Sequence, residues 1–343
     1  MNKLTKIGVS ALCGSLASVA ANAGTMEVLG GATATWSSNE GTVNGNPIGI
    51  VSGVTFKGTG ELDNGTTFTL TLTGADQAGY SSGSINMEVP GLGGIKINQA
   101  SGGTGIDRYD DMMPTAWEET NGTSLATGLT TVAGVGTSMN VEWNVSGDML
   151  PDGMGLQIAV SPQADGVVVN DKATSGDDGG DASGSGYDVT VNHSGLMDGL
   201  NVFAGMSTIE QPNEDAVTST TGDRSQYVLG ATYAVGSVSV GYQMSRDNLQ
   251  SSVVGTTSYY DNQAFGVSFN VNDNLSLSYG NHKSDRSLTS ASTVELEAES
   301  LQIAYTMGGM SIKIAESTVD NGSYTSGSAQ DRDATTVSLS LAF

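Results

Sequence analysis

Thr336-Val337-Ser338-Leu339-Ser340-Leu341-Ala342-Phe343 closes the chain, and its alternation decides the fold. Side chains on a strand point alternately to opposite faces, so Val337, Leu339, Leu341 and Phe343 share one face and Thr336, Ser338, Ser340 and Ala342 the other. One face suits hydrocarbon and the other suits water. The stretch predicts a wall strand of a transmembrane β-barrel that stops on an aromatic carboxy-terminus.

The opposite end agrees. Lys3 and Lys6 form a short basic region, 7–20 is apolar or small, and Ala21-Asn22-Ala23 offers a small-x-small cleavage site. Residues 1–23 are expected to be a signal peptide, cut near Ala23. No later stretch offers about 18 consecutive apolar residues, so any span in 24–343 is β. Cys13, the one cysteine, follows Leu12 instead of the Gly or Ala of a lipoprotein site, and its place in the leader leaves 24–343 without a disulfide.

The whole chain has a net charge of −24; the leader holds two lysines and no acid, so the remainder carries −26. Forty-eight glycines and 37% hydrophobic residues leave little with which to fill a large soluble core, and no helix-period apolar stripe persists beyond the leader. A barrel with a thin apolar belt and a wet interior tolerates this composition. The acidity excludes nucleic acid as a partner, because phosphates would be repelled.

Sixteen period-2 segments separate at turn chemistry: 25–37, 50–62, 66–76, 83–89, 94–100, 137–147, 154–162, 186–194, 199–208, 225–235, 236–246, 260–271, 274–284, 294–306, 309–319 and 332–343. Their connections alternate. Tight turns such as Asp63-Asn64-Gly65, Pro90-Gly91-Leu92-Gly93 and Asn272-Asp273-Asn274 fall between long polar loops at 38–49, 77–82, 101–136, 163–185, 209–224, 247–259, 285–293 and 320–331. Short turns on one rim and long loops on the other are the pattern of an outer-membrane barrel. All six prolines sit in connections or at a strand end, where a missing N–H costs no ladder bond. Parity assigns Phe68, Leu70 and Leu72, then Met139, Val141, Trp143 and Val145, then Phe265, Val267, Phe269 and Val271, to lipid-facing sets. Between Leu296 and Leu301 the apolar parity shifts. A secreted β-sandwich or solenoid also has one apolar face per strand, but seldom needs so many strands in one unit.

With these features the chain resembles the general porins, the sixteen-stranded trimeric diffusion channels of Gram-negative outer membranes. The likeness rests on the leader with Ala21-Asn22-Ala23, the Gly-rich first strand Val28-Leu29-Gly30-Gly31-Ala32-Thr33, the Glu61-Leu62-Asp63-Asn64-Gly65 turn and terminal Phe343. It is one of architecture over the whole of 24–343. It implies an all-β antiparallel barrel whose third long loop, 101–136, folds inward and narrows the pore. It also implies a homotrimer embedded in outer-membrane lipid, inserted by the outer-membrane assembly machinery with Phe343 as the carboxy-terminal assembly signal.

In that family the inward loop carries acids that face bases on the wall. Here the loop supplies Asp107, Arg108, Asp110, Asp111, Glu118 and Glu119, and parity turns Lys57, Lys96 and Lys313 toward the lumen, with Arg332 nearer the outer rim. Opposed charges across an aqueous gap orient dipolar solutes and penalise apolar ones. The wall departs from the family pattern of several arginines, so its positive side is expected to be weak. With inward Glu61 and Glu142 and acidic loops, cations are the expected passengers beside small hydrophilic solutes.

Other signals weigh less. Gly102-Gly103-Thr104-Gly105-Ile106-Asp107 matches one calcium-solenoid repeat but stands alone. Asp177-Asp178-Gly179-Gly180-Asp181 offers clustered oxygens to a hard cation, yet reads equally as a solvated acidic loop. His193 and His282 are too scattered for a metal centre, and no nucleophile and base converge. The expectation is no enzyme, no cofactor and no metal. The competing class is a surface-exposed binding or structural β-protein, such as an adhesin or layer protein, that never conducts.

Overall fold

The computed structural model describes residues 24–40, 46–76, 79–99, 101–123, 125–164, 184–211, 220–327 and 330–342. The expected leader, the acidic run at 177–181 and Phe343 lie outside the described residues. Sixteen strands are present: β1 (Thr25–Glu40), β2 (Ile48–Glu61), β3 (Thr67–Ala75), β4 (Ser82–Val89), β5 (Gly93–Gln99), β6 (Asn140–Val145), β7 (Met154–Ser161), β8 (Gly186–His193), β9 (Leu200–Ile209), β10 (Arg224–Val235), β11 (Val238–Asn248), β12 (Thr257–Asn270), β13 (Leu275–Leu288), β14 (Val294–Met307), β15 (Met310–Asp320) and β16 (Arg332–Ala342). Each pairs antiparallel with its sequence neighbours, and β1 pairs with β16 to close the barrel. Closure removes the two free edge strands that an open sheet would have.

The seam displays the alternation of the last strand. Thr35 lies opposite Ser338 and Ser37 opposite Thr336. Thr336 and Ser338 are buried on the inside, while Leu339 and Leu341 are exposed on the outside. The same inversion runs around the barrel: Met26, Ile50, Leu72, Leu229, Phe265 and Ile303 are exposed, whereas Asn98, Gln226, Gln243, Ser284 and Gln302 are buried. In water this distribution would leave the apolar surface uncovered and sequester the polar one.

Several element boundaries differ from the sequence expectation. The sixth segment, expected at 137–147, is a strand only over Asn140–Val145. Gly134–Thr137 is a 3-10 turn and Ser146 caps another, its Oγ accepting the Asp148 N–H at 3.3 Å. β1 and β13 run beyond their expected ends, β13 to Leu288, and near that end Arg286 turns inside and donates to Tyr324 O at 2.9 Å. The parity shift in β14 also has a cause. Leu296 and Leu301 sit on opposite faces of one unbroken strand; Leu301 is exposed outside and Leu296 is buried inside against Leu125 of the inward loop.

Residues 101–136, between β5 and β6, turn into the barrel and follow its inner wall. Three bare positions on that wall make room for them. Cβ atoms added at Gly241 (β11) and Gly266 (β12) would lie 2.7 Å from Pro114 and 2.8 Å from Met113, and one at Gly280 (β13) would strike Thr120. Glycine here permits the close approach of loop to sheet.

Candidate functional site

The inner loop is fixed to the wall by its own backbone. Its irregular backbone N–H groups need acceptors once buried, and inward side chains of the strands supply them. On β6, Glu142 Oε2 accepts the Gly105 N–H at 2.7 Å and pairs with Arg108. Asp188 of β8, fully buried, accepts from Ile106 at 2.9 Å and from Val135 at 3.1 Å, so one carboxylate ties the outgoing leg of the loop to the returning one. The carboxylate fits because both legs are glycine beside it: Gly105 and Gly134 have φ of +57° and +52°, and a Cβ at either would overlap Asp188.

Three amides continue the series. Gln226 of β10 accepts from Ala133 at 3.0 Å and Gly134 at 2.6 Å. Gln243 of β11 donates to Tyr109 O at 2.8 Å and accepts from Met112 at 3.3 Å. Gln302 of β14 accepts from Trp117 at 3.0 Å and Glu118 at 3.1 Å and donates to Glu118 O at 2.8 Å. Further round, Thr336 donates to Thr123 O at 3.2 Å. Apolar contacts seat the loop between these points: Ile106, Tyr109 and Val132 pack on Phe203 and Val228, and Leu125 packs on Leu296, Val319 and Tyr324.

Tyr324 belongs to the last long loop, which folds down over the returning leg. Its hydroxyl accepts the Thr130 N–H at 2.9 Å and lies 2.6 Å from Ser284 Oγ, while the neighbouring Ser323 N–H donates to Thr127 O at 2.7 Å. Asn321, Ser323 and Tyr324 all have φ of +54°, a region that non-glycine residues enter at a cost of order 1–3 kcal/mol each.

With the loop held this way, its acids are left over. Asp110, Asp111, Glu118 and Glu119 lie close enough to repel one another. Burial first, then the neighbouring carboxylates, pushes Asp110 and Asp111 up to about 6 and Glu119 up to about 7. Asp107, which accepts the Gly103 N–H at 2.8 Å, is raised mainly by burial. Among the described residues none of these five carboxylates forms an ion pair.

The wall bases are engaged elsewhere. Lys57 lies 3.9 Å from Glu27. Lys96 donates to Gly102 O at 3.2 Å, at the root of the loop. Lys313 stands over the ring of Trp117, the residue before Glu118, at 5.8 Å. Arg332 donates to Ala126 O at 3.1 Å and Gln330 Oε1 at 2.6 Å, toward the long-loop end. Elsewhere Arg224 pairs with Asp247 at 2.6 Å, Arg246 with Asp261 at 2.5 Å and Lys283 with Glu297 at 2.9 Å. The last two pairs are on the outward face, where the register sets Lys283 opposite Glu297. Glu142 points inward as parity requires, but Arg108 and Gly105 occupy it.

No family model matches the chain, and no curated protein matches it in sequence. Solved structures do share its fold. OmpF of Salmonella typhi, in a complex with daunomycin, is 14% identical over 93% of this chain and 97% of that one, with a TM-score of 0.67. An anion-selective porin from Comamonas acidovorans is 12% identical over 94% and 100%, with a TM-score of 0.65. The trimer form of OmpT, an outer membrane protein of Vibrio cholerae, is 12% identical over 94% and 100%, with a TM-score of 0.64. At such identity the likeness is one of fold. The chain has a porin-like fold, a closed antiparallel barrel of sixteen strands with a loop turned inside.

Asp188, Gln226, Gln243 and Gln302 were not among the residues singled out from sequence. Their signal was available: large amides and a carboxylate at inward positions, beside a glycine-rich loop whose N–H groups lacked partners.

Proposed function

We propose that this chain is a porin of the general Gram-negative type: an outer-membrane, water-filled channel through which small hydrophilic solutes and ions diffuse passively, with cations preferred. One observation carries the reading. The barrel is apolar outside and polar inside, and a loop turned into that polar interior keeps five acids that form no ion pair among the described residues. A lumen with surplus negative charge concentrates cations and repels anions. Asp107, Asp110, Asp111, Glu118 and Glu119 form the acidic side of the constriction, and Lys313 is the wall base best situated to oppose them. Lys57, Lys96 and Arg332 contribute less field, because Glu27 and loop carbonyls hold them. The reading includes export by cleavage near Ala23, insertion through Phe343 and assembly as a homotrimer, a form in which the Vibrio OmpT is also found.

The test is single-channel current from the detergent-extracted protein in a planar bilayer under a salt gradient. Stepwise conductance with a cation-selective reversal potential supports the reading. Folded protein that never conducts would refute it and favour the non-conducting surface protein.

A further inference from the structure

The inner loop is fastened along one side of the barrel. Its described hydrogen bonds to the sheet reach β5, β6, β8, β10, β11 and β13–β16, and none reaches β1–β4. The open part of the lumen therefore lies against β1–β4, and what lines that wall meets the solute. Parity and register define the lining. Lys57 faces Glu27 across the β1–β2 pair and Thr71 across the β2–β3 pair, so Thr69, Thr71 and Thr73 point inward with it, while Leu70 and Leu72 are exposed outside. Thr55 stands opposite Thr73, with their hydroxyls 3.1 Å apart, and Thr59 stands opposite Thr69. Thr33 of β1 meets Ser340 across the seam at 2.9 Å.

These hydroxyls form a lattice with a repeat of about 5 Å across strands and about 6.7 Å along them. That spacing is comparable to the size of a monosaccharide ring. A solute rich in hydroxyls can exchange one wall partner for the next, donating to and accepting from each, without returning to bulk water between them. The wall's charge is small: Lys57 is compensated by Glu27, and Glu61 and Glu88 sit at the short-turn end, both opposite Thr67. Threonine is a strong strand former on any wet face. The feature that goes beyond that preference is its concentration on the wall the loop leaves free.

We infer that the threonine lattice of β2 and β3 is the track on which neutral polyhydroxylated solutes, of mono- or disaccharide size, cross the channel, separate from the acid edge that selects ions. This rests on the pore reading. The test compares wild type with Thr69→Val/Thr71→Val/Thr73→Val, which keeps side-chain shape and removes the hydroxyls. Sugar permeation into proteoliposomes is measured by swelling, and potassium conductance is measured in bilayers on the same preparation. The inference expects the ratio of sugar flux to potassium conductance to fall about five-fold, and Thr69→Ser/Thr71→Ser/Thr73→Ser, which retains the hydroxyls, to restore it. A ratio unchanged in the valine variant, or equally reduced in the serine variant, would overturn it. Wild type that conducts potassium while the ratio stays fixed leaves the pore intact and removes only the track; wild type that does not conduct removes both.

Discussion

Acidification is the sharpest probe of the loop carboxylates. With Asp110 and Asp111 near 6 and Glu119 near 7, these three groups together carry about 2.9 negative charges at pH 8, about 1.5 near pH 6.3 and about 0.2 at pH 5. An ion passing at about 7 Å in water feels roughly 0.6 kcal/mol from each charge, and about half of that in 0.1 M salt. Losing about 2.7 charges then removes roughly 0.8 kcal/mol of attraction for a cation and the same repulsion for an anion, so the cation-to-anion permeability ratio falls on the order of ten-fold. The loop does not leave to produce this. A carboxyl raised in the folded state binds its proton more tightly there than when the loop is displaced, so the seated loop is penalised above its folded value and gains as pH falls through it. The assay is the reversal potential in a potassium chloride gradient from pH 8 to pH 5, with Asp110→Asn/Asp111→Asn/Glu119→Gln as the control that should erase the step near pH 6.3. A reversal potential flat across that interval, or a step that persists in the triple variant, would refute the reasoning.

The anchors of the loop make further predictions. Asp188→Ala leaves the Ile106 and Val135 N–H groups buried without their acceptor, at about 1–3 kcal/mol each; the urea midpoint of the folded, heat-modifiable band should drop, and an unchanged midpoint would remove Asp188 from its role as a staple. Gly266→Leu places side-chain atoms where Met113 and Pro114 lie, so the loop should lift from the wall and the single-channel current should change in amplitude or gain noise, while circular dichroism stays that of a barrel. Tyr324→Ala removes the partner of Thr130 and Ser284, so protease cleavage within 125–133 should appear in the intact barrel; resistance equal to wild type would mean that the last long loop does not hold the returning leg.

What the sequence reveals well is sidedness. A period of two assigns each strand residue to the inside or the outside, and Lys57, Lys96, Lys313 and Glu142 face inward by that rule alone. It is silent on what an inward residue touches. The loop at 101–136 has no period to read, and its partners follow from how it lies against the wall. Thus Glu142 reads as one more free lumen acid and in the fold is occupied by Arg108 and Gly105. Asp188 and the three glutamines, which the alternation marks only as inward, are the acceptors for the loop backbone. Gly241, Gly266 and Gly280 are the bed on which Met113, Pro114 and Thr120 rest. The shift of parity in β14 was legible as an anomaly, and its cause, Leu125, lies more than 150 residues away in sequence.

The chain separates the carboxylates that hold the fold from those available to a solute. Glu142 and Asp188 are consumed by backbone N–H groups and Arg108, so removing either breaks hydrogen bonds that nothing else replaces. Asp110, Asp111, Glu118 and Glu119 accept at most neighbouring N–H groups of the loop itself and repel one another. Neutralising them relieves a penalty and strips no wall contact. Fold and selectivity therefore respond to different losses: removing the acceptor with Asp188→Ala should loosen the loop, whereas amides at the four clustered acids should leave it seated or seat it more firmly while the proposed preference for cations declines. That opposition separates a functional acid edge from acids that are merely solvated, because a solvated set would change neither selectivity nor seating.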